Sequence, residues 1–238
     1  MNIDALVQYV TNTPLVWLLL TLGSFKIGII VYEKFDKHTL LQPIIIAYLI
    51  IMTALITTGV SYEEYFKGVE IIHFFLGPAT VALALPLYKN LKHIKSLFFP
   101  IFITLVVAGT FTIAIAIALL WALDAQLPTM LSMTTKSITA PIAIITSEQI
   151  GAIPSLAVGF VIITGIIGAL LGTAIFKLLK IKHDTSKGFA LGLVSHGIGT
   201  ARAIEISEKA AAFSALAMGL SGIFTAVFLP LIIQFLKG

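Results

Sequence analysis

Residues 134–151 read Thr134-Thr135-Lys136-Ser137-Ile138-Thr139-Ala140-Pro141-Ile142-Ala143-Ile144-Ile145-Thr146-Ser147-Glu148-Gln149-Ile150-Gly151. The stretch is apolar enough to be read with the runs on either side of it. Yet five of its first six side chains are polar, Lys136 among them, Glu148 follows, and Pro141 interrupts it. Proline donates no backbone hydrogen bond and turns the residue before it away from helix. In water this would be an ordinary loop. In a bilayer, irregular polar backbone survives only where protein or a wet cavity covers it.

Composition decides which solvent applies. The chain is 58% hydrophobic and 11% charged, with mean hydropathy +1.06, whereas soluble domains are roughly 25% charged. Apolar segments fall at 14–32, 41–60, 69–88, 97–122, 134–151, 155–176, 189–207 and 210–236. Most approach the roughly 20 residues a spanning helix needs. The fold expected is an all-α polytopic membrane protein, one transmembrane domain over 1–238, with broken or re-entrant helices. No Lys or Arg precedes Lys26, so the first segment lacks the basic flank of a cleavable signal and reads as retained. The chain contains no cysteine, which excludes disulfides and thiol chemistry. Basic patches interleaved with aromatics are absent, so nucleic acid is not an expected partner.

Two loops are rich in lysine: Lys89, Lys92 and Lys95, then Lys177, Lys180, Lys182 and Lys187. The positive-inside rule puts both on the cytoplasmic side. Three apolar segments lie between them, and a return to the same side takes an even number of crossings. One segment therefore fails to span, and 134–151 is the candidate. Counting every other segment as a crossing places the N-terminus outside and the C-terminus, with Lys237, inside. Gly77-Pro78-Ala79-Thr80 and Gly197-Ile198-Gly199-Thr200 lie 120 residues apart with oppositely charged flanks. That spacing fits two inverted repeats, 1–120 and 121–238, a common plan in transporters.

Three constellations carry chemistry. Ser195-His196-Gly197-Ile198-Gly199-Thr200-Ala201-Arg202-Ala203-Ile204-Glu205 is a polar island in an apolar run. Its glycines either pack helices closely or break the helix. A break at Gly197 leaves a half-helix N-terminus, where the Gly199 amide and Thr200 suit an anion. Arg202 then faces either a substrate carboxylate or a structural acid such as Glu205 or Glu148. His196 is either a coupling-proton carrier or a hydrogen-bonded structural imidazole. Around Pro141, Ser137 and Thr139 satisfy freed backbone or contact substrate, and Lys136 either snorkels or is a buried cation. Gly77-Pro78 marks a kink or a discontinuous helix. No metal site and none of the common hydrolase, protease or nucleotide-binding signatures is present, so an enzyme is not expected.

At these residues the chain resembles the LrgB/CidB family. The resemblance rests on Gly77-Pro78-Ala79-Thr80 through Tyr88, Lys136-Ser137 through Pro141, Ser195-His196 through Glu205, and Phe213-Ser214-Ala215-Leu216-Ala217-Met218 with Gly222 and Thr225-Ala226. Thr135 stands where that family usually has proline. The resemblance implies one of two activities in the cytoplasmic membrane. One is secondary transport of small monocarboxylates resembling glycolate, glycerate or pyruvate. The alternative is an antiholin-like modulator of murein hydrolase export and cell lysis. It also implies a small LrgA/CidA-type membrane partner. Within the transport reading, the substrate carboxylate meets Arg202 and the Gly199 amide. Ser137, Thr139, Thr200 and Lys136 contact the rest of it, and His196, Glu205, Glu148 and Ser195 form the surrounding network. The coupling ion is H⁺ or Na⁺, no other cofactor is expected, and self-association stays open.

Overall fold

The computed structural model describes residues 13–35, 41–82 and 84–237; they contain helices and no strand. They fall into two compact units, Met1–Ala82 and Leu83–Gly238. Four helices among them are long and apolar enough to cross a membrane: Pro14–Lys34, Phe98–Ala122, Pro154–Leu178 and Glu208–Phe235. Large apolar side chains such as Phe98, Phe102, Val107 and Phe111 lie exposed along one of these. Such a surface is tolerable in lipid and not in water. The chain is a multi-pass α-helical membrane protein.

The first unit holds α1 (Pro14–Lys34), α2 (Pro43–Thr58) and α3 (Tyr62–Ala82). Trp17 of α1 is 3% exposed, meets Tyr65 edge-on at 5.8 Å, and is seated beside Gly68, where a Cβ would come within 2.8 Å of it. Ser61 and Glu64 cap the start of α3 reciprocally, each backbone N–H donating to the other's side chain. The kink or break expected at Gly77-Pro78 does not end this helix. Helix α3 runs through Pro78 to Ala82, because one proline removes a single hydrogen bond and the turns on both sides retain theirs. The side chain of Thr80 lies outside the described residues.

The second unit comprises α4 (Ala84–Lys89), α5 (Leu91–Ser96), α6 (Phe98–Ala122), α7 (Leu127–Thr134), α8 (Ala140–Ile150), α9 (Pro154–Leu178), α10 (Asp184–Ile206) and α11 (Glu208–Lys237). Its lysine-rich segments share one end. Lys89 Nζ lies 2.9 Å from Glu208 Oε1, the His93 ring packs on Phe213 at 5.6 Å, and His93, His183 and Lys209 line one cleft. At the other end Leu131, Ile150 and Leu229 form a core with Ile113 and Ala152. Thus α6, α9 and α11 each run the length of the unit.

The two remaining segments are hairpins. Helix α7 stops at Thr134, residues 135–139 are not helical, and Thr139 has extended backbone (φ −70°, ψ 147°) before α8 begins. Ile153, just past α8, is tied back to α7: its N–H donates to Ser132 Oγ at 2.9 Å. The α7–α8 segment therefore enters and leaves at the same end, as the lysine-loop count requires of 134–151. Helix α10 is also interrupted, at His196 (φ 41°, ψ −126°). Its second half folds so sharply that a Cβ on Gly199 would collide with the Leu191 carbonyl oxygen. In a straight helix those residues stand about 12 Å apart along the axis. Both ends of α10, at His183 and at Glu208–Lys209, lie at the lysine-rich end.

The segment 189–207, which the sequence count takes as a crossing, returns in the structure to the end it entered, so the far end of α11 lies at the opposite end of the unit from the lysine-rich segments. The same geometry exposes an internal correspondence. Helices α6 and α9 are each 25 residues long, offset by 56 residues, and run in opposite directions. Each is followed by a hairpin ending at Ile150 or Ile206. In length and order of elements 98–150 thus resembles 154–206; the Gly77 and Gly197 stretches lie in different units.

Candidate functional site

The hairpins enter from opposite ends and their tips meet near the middle of the unit. Val161 of α9 links them. Its side chain packs with Ile138 and Ala143 of the first tip, and its carbonyl oxygen lies 3.0 Å from His196 Nε2 at the second. A carbonyl only accepts, so Nε2 carries the proton in that bond. Small residues on α9 make the approach possible: a Cβ on Gly165 would lie 2.8 Å from the imidazole, and one on Gly168 would strike Ser195 Oγ. Ser195 is fully buried, and its hydroxyl oxygen has no hydrogen-bond partner among the described residues.

The second tip is held by its own polar groups. Thr200 Oγ1 donates to the His196 carbonyl at 2.9 Å and lies 3.0 Å from Ser214 Oγ of α11. Gly188 and Gly192 sit so close to α11 that a Cβ would run into the carbonyls of Ala210 and Ser214. Arg202 pairs with Glu205, its guanidinium bonded to that carboxylate. Glu205, one of the structural acids considered from the sequence, lies one turn along the same helix. Glu148 is exposed and Gly197 faces open space. The interruption falls on His196, one residue before the glycine expected to cause it, because the imidazole is anchored across the tip to α9.

The first tip is less tied. Lys136 Nζ donates to Ser137 Oγ at 3.3 Å. Thr139 is the N-cap residue of α8 but makes no side-chain capping bond, and Pro141 occupies the first turn of that helix. Ser137 and Ile138 border a small cavity of about 10 Å³ shared with Thr112 of α6, Thr134 of α7, Leu193 of α10, and Ser221 and Thr225 of α11. Of the residues singled out in the sequence, the structure brings Lys136, Ser137 and Pro141 to this tip. It gathers His196, Gly199 and Thr200 at the second tip, His196 against α9, Gly199 against Leu191 and Thr200 against α11, with Arg202 beside Glu205 further along the same helix. Sequence reasoning missed Thr112, Ser221 and Thr225, since single hydroxyls in apolar helices are common and only tertiary packing brings these together.

At both tips the second half-helix, α8 and the part of α10 after His196, begins at mid-length with its N-terminus inward, while the first half ends there with its carbonyls. Helix ends carry partial charges of opposite sign, so the junction offers positive poles to an anion and negative poles to a cation. This architecture, paired opposed re-entrant hairpins inside a multi-pass α-helical unit, defines a class of membrane protein with a polar centre. The comparisons name the family. The LrgB-like family model matches residues 21–235. The chain is 31% identical over 226 residues to each of several proteins called antiholin-like protein LrgB, from Bacillus mycoides (strain KBAB4), Bacillus cereus (strain B4264) and Bacillus anthracis (strain CDC 684 / NRRL 3495). Those alignments cover 95% of this chain and 98% of each relative. No solved structure matches it. The chain belongs to the LrgB-like family.

Proposed function

We propose that this chain is a carrier for small monocarboxylates, with the substrate bound where the hairpin tips meet. One observation carries the reading: two re-entrant hairpins of opposite orientation converge at mid-length around Val161. Discontinuous segments are costly in a bilayer, and transporters use them to set half-helix ends around a substrate. Lys136, at the first tip, is the cation best placed for a carboxylate. Ser137 and the α8 N-terminus stand beside it to take a hydroxyl or carbonyl oxygen, whereas Arg202 is engaged by Glu205. The lysine-rich end faces the cytoplasm by the positive-inside rule, in the cytoplasmic membrane, and a small LrgA/CidA-type protein is the expected companion.

A second reading has a specific support of its own. The relatives are named antiholin-like proteins, which favours a membrane modulator of murein hydrolase export and lysis. The names speak for this reading more directly than for transport.

Uptake of labelled pyruvate or glycolate into proteoliposomes, with the companion present, separates them. The carrier reading expects saturable uptake that Lys136→Gln lowers at least tenfold. Background uptake by wild type, together with Lys136→Gln controlling autolysis as well as wild type does, would sink the carrier and leave the modulator.

A further inference from the structure

Resting on the carrier reading, we infer that the cavity between α6, the first hairpin tip and α11 is a binding site for one monovalent cation of sodium size. The cavity is bordered by five hydroxyl side chains, Thr112, Thr134, Ser137, Ser221 and Thr225. Its volume of about 10 Å³ is that of one water-sized occupant. Polarity is set by where the hydroxyl protons go. Thr112 donates to the Gly109 carbonyl at 2.9 Å, Thr134 to Leu131 at 2.6 Å, and Ser221 to Met218 at 3.1 Å. A hydroxyl whose proton is engaged on its own helix presents only lone pairs elsewhere. Three of the five are thereby fixed as acceptors, a lining that repels an anion and suits a cation.

A second observation points the same way. Thr225 is 6% exposed, borders the cavity, and makes no hydrogen bond among the described residues. A hydroxyl that is not committed to a neighbour keeps its lone pairs for an occupant of the cavity. Thr134 also closes α7, so the negative pole of that half-helix is directed at the site. No carboxylate lines the cavity, so the occupant carries a single charge.

The same geometry supplies coupling. Lys136 Nζ touches Ser137 Oγ, and Ser137 lines the cavity. An ammonium this near opposes a cation until its charge is compensated. A substrate carboxylate at Lys136 provides that compensation, so anion and cation raise each other's affinity, as linkage requires. Removing the lysine charge tightens the cation site in the absence of substrate.

The test is equilibrium binding of ²²Na⁺ to the purified full-length chain in detergent, with choline as the balancing cation. Wild type is expected to bind saturably, with pyruvate increasing affinity severalfold. Thr225→Val and Ser221→Ala each weaken binding tenfold or more while their melting temperatures in choline match wild type. Lys136→Gln binds more tightly than wild type without pyruvate and loses the pyruvate effect. Absence of saturable binding means that a water fills the cavity, and overturns the inference. So does wild-type affinity in both hydroxyl variants. Saturable binding without carboxylate uptake in liposomes leaves the cation site standing and removes the carrier reading. Uptake that choline supports as well as sodium, with no binding, does the reverse.

Discussion

The backbone of His196 gives an inverted mutational ranking. In an ordinary helix, alanine is favoured over glycine by about 1 kcal/mol. His196 has φ 41° and ψ −126°, a region natural to glycine and strained for any residue with a Cβ by about 1–3 kcal/mol. His196→Ala and His196→Gly both lose the 3.0 Å bond to Val161 and the packing of the ring against Gly165. The hydrogen bond alone is worth about 1 kcal/mol. The two variants differ in strain, which alanine keeps and glycine releases. Both should fall below wild type, with glycine above alanine by about 1–2 kcal/mol. Equilibrium unfolding of the full chain in mixed micelles measures the difference. If alanine is as stable as glycine or more so, the interruption is not located at His196 and the hairpin reading of α10 fails with it.

Other expectations follow from close approaches and from topology. Gly192→Ala should destabilise the fold by about 2 kcal/mol or more, because its Cβ meets the Ser214 backbone carbonyl, which is not free to rotate away. Gly159→Ala, with nothing within 4 Å, should be neutral or slightly stabilising in the same unfolding assay. For Arg202 and Glu205, a double-mutant cycle to alanine should give a coupling energy of about 0.5–3 kcal/mol in unfolding free energy; a value near zero would release Arg202 for another partner. Single cysteines at Lys182 and Lys209 in this cysteine-free chain should label from one side of the membrane, and cysteines at Asp124 and Gln234 from the other. Labelling of 182 and 209 from opposite sides would make α10 a crossing and refute the hairpin.

The interruption in 134–151 was legible because its signals are local: Pro141 and a run of polar residues at its start are visible without any tertiary knowledge. The hairpin in 189–207 was not, because its apolar run is long enough to pass for a span. Whether it crosses depends on where Glu208 sits relative to Lys89, a contact between residues 119 positions apart. The break was assigned to Gly197 because glycine is the residue that most readily leaves helical backbone; the structure puts the distortion on His196, stabilised by a bond to α9 that sequence does not display. Gly165 and Gly168 show the reverse limit. Their identities are plain in the sequence, but the imidazole and hydroxyl that occupy the space they leave belong to a different helix.

The paired modules 98–150 and 154–206 are alike in architecture and unlike in chemistry, and that asymmetry divides the work between the tips. At the second tip His196 is bonded to Val161 and Thr200 lies against Ser214. Those polar groups hold the fold and have little capacity left for a ligand. At the first tip Lys136 makes one side-chain hydrogen bond among the described residues, a long one to the neighbouring Ser137, Thr139 makes no capping bond, and Ser137 opens onto the cavity. Groups that contribute little to the folded state are the ones available to bind something else. Ser137→Ala and Lys136→Gln should therefore unfold within about 0.5 kcal/mol of wild type while lowering uptake. Thr200→Val should cost about 1–2 kcal/mol, through the loss of a buried hydrogen bond and the exposure of Ser214 to an apolar neighbour. Measuring stability and uptake on the same preparations decides the matter: if the first-tip variants lose stability and the Thr200 variant loses only uptake, the tips have been assigned the wrong way round.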